Sequence, residues 1–149
     1  MKKFFVIMMS AVFVIASQSV SAQLRSVPAE VTTAFATKYP HASDVSWEDK
    51  ISSFQATFKS DGATCEARFN KDGVWKETEK AITLEQLPSS VQESFNASKF
   101  KEWNLRTVAK IDKSDGGSEY RIYVKNDTVK RKYLYYSEDG KLIREAYKI

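Results

Sequence analysis

The sequence predicts an α+β fold in which one unit, a helix followed by four antiparallel strands, is written twice in tandem. Three observations carry that reading. A helix-opening pattern recurs at a fixed interval, the hydrophobic period changes to two after each opening, and Asp-Gly pairs punctuate the alternating runs.

The recurrence is seen in three anchors. Val27-Pro28-Ala29-Glu30-Val31 followed by Phe35 is matched by Leu87-Pro88-Ser89-Ser90-Val91 followed by Phe95, at an offset of 60. Phe54, Ala56 and Phe58 correspond to Tyr120, Ile122 and Val124 at an offset of 66. Arg68-Phe69-Asn70-Lys71-Asp72-Gly73 corresponds to Tyr135-Tyr136-Ser137-Glu138-Asp139-Gly140 at an offset of 67. The order is the same in both halves, which places the repeats at 27–81 and 87–149. The second is longer by the size of a turn, inserted before Tyr120.

Each repeat opens with a helix. Pro28 and Pro88 suit the first helical turn, where a missing N–H costs nothing. Val31, Phe35 and Tyr39 fall on one face at helical spacing, as do Val91 and Phe95. Pro40 ends the first helix, because the residue before a proline avoids the helical region.

The strands follow. Phe54-Gln55-Ala56-Thr57-Phe58, Thr64 to Phe69 and Tyr120 to Val124 alternate apolar with polar, the mark of strands with one face on a core. Asp61-Gly62, Asp72-Gly73, Asp115-Gly116-Gly117 and Asp139-Gly140 supply the positive φ that tight hairpins need. The predicted strands are 44–50, 53–59, 64–70 and 74–81, then 102–112, 118–126, 129–137 and 141–148. Leu84 and Leu87 make the link 82–87 a packed connector. Alternation turns Phe54, Ala56, Phe58, Cys65, Ala67 and Phe69 inward, with Ile122, Val124, Leu134 and Tyr136 in the second half. Trp47 and Trp103 follow the two helices at similar places and read as core, which leaves Trp75 as the tryptophan whose exposure would signal a contact role.

The first 22 residues read as an address. Met1-Lys2-Lys3 leads into Phe4 to Ala16, an apolar run of 13 residues broken only by Ser10. A membrane-spanning helix takes about 20. A basic start, a short apolar stretch and Val20-Ser21-Ala22 describe a secretory signal peptide cut after Ala22. The expectation is one mature domain, 23–149, periplasmic or secreted, with no stable membrane anchor after cleavage.

Composition removes several function classes. Lys and Arg number 23 against 19 acids, and loss of Lys2 and Lys3 leaves 21 against 19, a mature net charge of +2. So balanced a charge draws neither nucleic acid nor anionic membrane strongly. One cysteine forbids an internal disulfide, and with one histidine it forbids a Cys/His zinc site. Cys65 on the inward face is a small apolar residue, and His41, after Pro40, lies at the surface. Asp112 to Ser118 looks like the start of a calcium loop, but its twelfth position is Tyr123 where a bidentate Glu is required, so the segment reads as a hairpin turn. No metal and no cofactor is expected. No nucleophile elbow, paired histidines or phosphate loop is present, which points away from an enzyme.

The paired helix openings, the alternating runs and the Asp139-Gly140-Lys141 hairpin together resemble the PepSY-like, beta-lactamase-inhibitor-like family of exported bacterial proteins, over the whole mature chain. The resemblance implies one curved antiparallel sheet with both helices packed on one face and an open face able to grip a partner. It also implies a class of behaviour, since true PepSY domains are associated with restraining peptidases. The disulfides of the secreted inhibitor are missing here.

On such a sheet the alternation leaves Arg121, Tyr123, Arg131, Tyr133 and Tyr135 facing outward, with Arg106 beside them. Tyr and Arg dominate binding hot spots because they are large, stiff and able to hydrogen-bond at the rim of a buried patch. The first half offers the blander Gln55, Thr57, Glu66 and Arg68. The expected function is therefore a non-catalytic exported binding module. Its partner is an unidentified periplasmic or extracellular protein, a peptidase or another hydrolase. The alternative is a binder of a small ligand or an envelope polymer through the same face.

Overall fold

The computed structural model describes residues 26–127 and 130–147. The segment read as a signal peptide lies outside the described residues, as do Val129 and Lys148 at the ends of two predicted strands. Among the described residues no helix is long and apolar enough to cross a membrane.

The element order is α1 (Ala29–Lys38), β1 (Ser43–Asp49), β2 (Ser53–Ser60), β3 (Ala63–Asn70), β4 (Trp75–Ile82), a short 3-10 turn (Leu84–Gln86), α2 (Ser89–Ala97), β5 (Asn104–Lys113), β6 (Ser118–Lys125), β7 (Arg131–Ser137) and β8 (Leu142–Tyr147). All eight strands form one antiparallel sheet in sequence order, β1 to β8. Predicted strand ends agree with these within two residues.

Both helices are preceded by proline rather than opening on it. Pro28 and Pro88 occupy the N-cap position, with φ of −58° and −52° and extended ψ. The Pro28 carbonyl accepts from the Val31 and Thr32 amides, and the Pro88 carbonyl from Val91 and Gln92. The sequence reading placed each proline one residue too far into its helix. The ring sets the entry φ, while the extended ψ keeps the residue itself outside.

Register shows that the helices share one face. Cys65 pairs with Lys80, Ile82 with Val108, and Val108 with Ile122, so the apolar positions of β3 and β6 lie on the same side. Val31 and Phe35 of α1 pack there with Phe54, Ala56, Phe58, Cys65, Ala67 and Phe69. Val91 and Phe95 of α2 pack with Phe100, Val108, Tyr120, Ile122, Val124, Leu134 and Tyr136. All predicted inward residues are buried. Trp47 and Trp103 rest against these two clusters, and Trp75 is half-buried against the first. Leu87 is buried and Leu84 packs on the second cluster, which fastens the connector.

The two apolar clusters do not merge. Between them, on the helix side, β4 and β5 present Thr78, Lys80, Lys110 and Asp112, paired Thr78 with Asp112 and Lys80 with Lys110. This polar seam interrupts positions that simple alternation would fill with apolar side chains.

Candidate functional site

The opposite face carries no helix. Across its centre the register runs Glu79 to Ile111 to Glu119 to Ser137, and Ala81 to Ala109 to Arg121 to Tyr135. Ile111 and Ala109 are buried although no helix covers them. Long side chains from β4, β6, β7 and β8 roof them. The face is therefore hollowed, with a depression of about 350 Å³ bounded by residues from Arg68 on β3 to Arg144 on β8.

Alternation on β6 and β7 puts Tyr135 in this hollow and Tyr123 and Tyr133 in an adjoining one of about 390 Å³ that shares Glu79 and Arg121. Tyr123 pairs with Tyr133 across the two strands, and Tyr133 and Tyr135 are two apart on β7. Their ring centroids stand 5.0 Å apart for Tyr123 and Tyr133, and 6.4 Å for Tyr133 and Tyr135. Two arginines brace them. The Arg121 guanidinium lies 4.7 Å from the Tyr133 ring centre, and that of Arg144 lies 3.7 Å from Tyr135.

Both arginines are also held by carboxylates. Arg121 on β6 bonds Glu79 on β4, across the intervening β5. Arg144 lies 3.4 Å from Glu119, which also bonds Lys113. Arg68 and Glu77 pair at 3.0 Å. Burial pushes the Glu79 carboxyl above its ordinary value, and the Arg121 charge pulls it part of the way back. The pairs are partly buried, so solvent screens their attraction less than at an open surface while part of the desolvation cost is paid, and removing one partner would leave the other charge poorly matched.

Of the six residues predicted as a contact surface, Arg121, Tyr123, Tyr133 and Tyr135 come together here. Arg131 is exposed at the start of β7, opposite Lys125, and forms a basic corner beside the tyrosines. Arg106 sits in the irregularity between Leu105 and Thr107 of β5, exposed at the end of the sheet. There it lines a separate groove with Ile82, Leu84 and Glu85. The sequence reading missed Glu79, Glu119 and Arg144. Glu77-Thr78-Glu79 is itself an alternating signal, and β8 carries too little apolar contrast to reveal which face Arg144 takes.

The remaining sequence expectations concern chemistry. Cys65 is buried as a free thiol, and burial pushes its pKa up. His41 is exposed. Among the described residues no group of His, Cys, Asp and Glu could hold a metal ion. The segment after Asp112 is a hairpin turn, with Lys113 N–H bonding the Gly117 carbonyl at 2.9 Å.

The family model described as "Putative beta-lactamase-inhibitor-like, PepSY-like" matches residues 52–144. A BLIP-like protein from Bacteroides fragilis is 27% identical with a TM-score of 0.72, covering 79% of this chain and 84% of its own. A DUF2874 family protein from Bacteroides ovatus is 25% identical with a TM-score of 0.76, covering 80% and 86%. A structure from Bacteroides eggerthii, described as "putative periplasmic proteins", shares the fold at 21% identity and a TM-score of 0.78, covering 81% and 88%. No curated protein matches.

Proposed function

Because the chain belongs to the PepSY-like, beta-lactamase-inhibitor-like family, we propose that it is an exported, non-catalytic binding module whose open sheet face grips a protein partner, a peptidase or another hydrolase of the periplasm. The observation that carries this reading is the tyrosine ladder Tyr123–Tyr133–Tyr135, set in two adjoining hollows and braced by Arg121 and Arg144. Aromatic rings held in place lose little entropy on contact. The two hollows draw their lining from six neighbouring strands, β3 to β8, and a site spread over so many strands suits a protein surface.

Within this reading the six predicted residues divide their work. Tyr123, Tyr133 and Tyr135 make the apolar centre. Arg121, already committed to Glu79 and to the Tyr133 ring, acts as a brace. Arg131 with Lys125 gives a basic rim that favours an acidic partner surface and speeds encounter at low salt, while Arg106, in its separate groove at the sheet end, adds to the charge without touching the tyrosines.

The test is capture from a native periplasmic extract, comparing the wild-type chain with Tyr123→Ser/Tyr133→Ser/Tyr135→Ser, identifying retained proteins by mass spectrometry and measuring Kd on the purified partner. Loss of about tenfold or more in affinity supports the face, since interface tyrosines cost upward of about 1 kcal/mol when truncated. Equal capture by both chains rejects it. Export itself is tested by the intact mass of protein from the periplasm, expected to begin at Gln23.

The reading extends to the origin of the fold as an internal duplication. Supporting it, the first turn of each helix presses on the third hairpin of its own half. A Cβ on Gly73 would lie 2.6 Å from the Glu30 carbonyl oxygen, and a Cβ on Gly140 would lie 2.4 Å from that of Ser90. Part of the extra length of the second half falls in β5, of 10 residues against 7 in β1.

A further inference from the structure

A second cavity, of about 240 Å³, opens on the helix-covered side where the C-terminal end of α1 meets the polar seam. Lys38, Tyr39, Trp75, Thr78, Lys80 and Asp112 line it. Phe58 and Cys65, both buried, supply apolar wall. It lies across the sheet from the tyrosine ladder and takes no part in that surface.

The polar groups of this cavity are unevenly matched. Trp75 Nε1 donates to Thr78 Oγ1 at 2.7 Å, and the Thr78 and Tyr39 hydroxyls share a hydrogen bond. Three polar hydrogens thus serve two bonds, which leaves one hydroxyl hydrogen within the triad to donate elsewhere. The Lys38 ammonium stands 3.7 Å from the Trp75 ring centre and forms no salt bridge among the described residues, although the Asp112 carboxylate is near enough to act on it. Among the described residues Lys80 pairs only with Asp61, at 3.8 Å, whose own side chain is 84% exposed. The one carboxylate in the wall, Asp112, is already answered by Lys110 at 2.9 Å and the Ser118 hydroxyl at 2.6 Å. What remains is two ammonium groups and a spare donor beside an indole and a phenyl ring.

Such a cavity selects an anion with a flat apolar body. Its volume falls below the roughly 300–1,000 Å³ typical of drug-sized sites, so the occupant has on the order of ten non-hydrogen atoms. We infer that this cavity binds a small aromatic monocarboxylate, with Lys38 and Lys80 holding the carboxylate and the Trp75, Tyr39 and Phe58 rings holding the body. The charge comes from the lysines, since the end of α1 that faces the cavity offers carbonyls rather than N–H groups.

The probe is benzoate, with benzamide as its neutral counterpart. The mature chain is titrated while the indole N–H signals of Trp47, Trp75 and Trp103 are followed by NMR, with Trp75 assigned from Trp75→Phe. The expected result is a saturable shift of the Trp75 signal with benzoate, about tenfold weaker binding of benzamide, and a comparable loss in Lys38→Gln/Lys80→Gln. Lys38 is exposed and Lys80 half-buried, so this pair of changes leaves the core intact. A non-saturating shift, a shift confined to Trp47 or Trp103, equal response to benzoate and benzamide, or undiminished binding by the lysine variant would each overturn the assignment. None of these outcomes bears on the tyrosine face, whose own variant is read by partner affinity.

Discussion

Gly140 has a φ of +85°, and the space where its Cβ would sit is occupied by the backbone of Ser90, with the carbonyl oxygen at 2.4 Å and the carbon at 2.7 Å. Gly116 has the same φ of +85° but nothing within 4 Å. The pair separates two costs that usually come together. Gly116→Ala should cost about 1 kcal/mol, the strain of a left-handed alanine. Gly140→Ala should cost about 3 kcal/mol, because α2 must also lift from the hairpin that its Ser90 hydroxyl ties through the Glu138 carbonyl. Urea unfolding of both variants checks this, and equal losses would show that the helix yields without resistance. At this scale the sequence revealed that glycine was needed after Asp139 but not why. Turn chemistry is local and visible in the dipeptide, whereas the close approach of a helix to the turn is set by residues 50 positions away.

At the scale of elements, the strands were legible because half-buried ribbons write their burial in a period of two, as β2 and β3 do and as β6 does from Tyr120 onward. β4 and β5 were not legible as a seam. Their helix-side positions Thr78, Lys80, Lys110 and Asp112 are polar, so nothing distinguishes the two faces by composition. The same obscurity hid Glu79, which ties β4 to β6 through Arg121. Burial raises the Glu79 carboxyl above its ordinary value. Between the ordinary value and the raised one, the folded chain holds more protons than the unfolded chain, so this group lowers stability as pH rises through that window. Arg121→Met removes the charge that pulls the carboxyl back, so its pKa rises further and the window widens upward. The variant should lose on the order of 2 kcal/mol at pH 7, and the loss should shrink as the pH is brought down toward 5. Taking the difference between variant and wild type at each pH cancels the other titrating groups. A loss that is constant across pH would mean that Arg121 acts through its packing on Tyr133 alone.

For the whole molecule, the sequence predicted two sets of one helix and four strands, and the described elements follow that order. How the sets join is a matter of hydrogen bonds between β4 and β5, which leave no trace in side-chain pattern, and this is why the single eight-stranded sheet came from resemblance rather than from spacing. The join has an energetic consequence. Two apolar clusters lie on one side of a continuous sheet, one gathered around Phe35 and the other around Phe95, with the polar seam between them. Phe35 packs its ring within 6.3 Å of Tyr39, Trp47, Phe58 and Phe69, all in the first half. Backbone pairing couples the halves, while side-chain packing stabilises each one separately. Phe35→Ala should therefore lower the protection of β2 and β3 amides against hydrogen exchange by about 3 kcal/mol, and that of β6 and β7 amides by much less. Phe95→Ala should reverse the pattern, with β6 and β7 losing protection first. Equal loss in all four strands from either variant would mean that the β4–β5 ladder alone makes the molecule one cooperative unit. The asymmetric result would mean that the first half can open while the tyrosine face of β6 and β7 remains assembled.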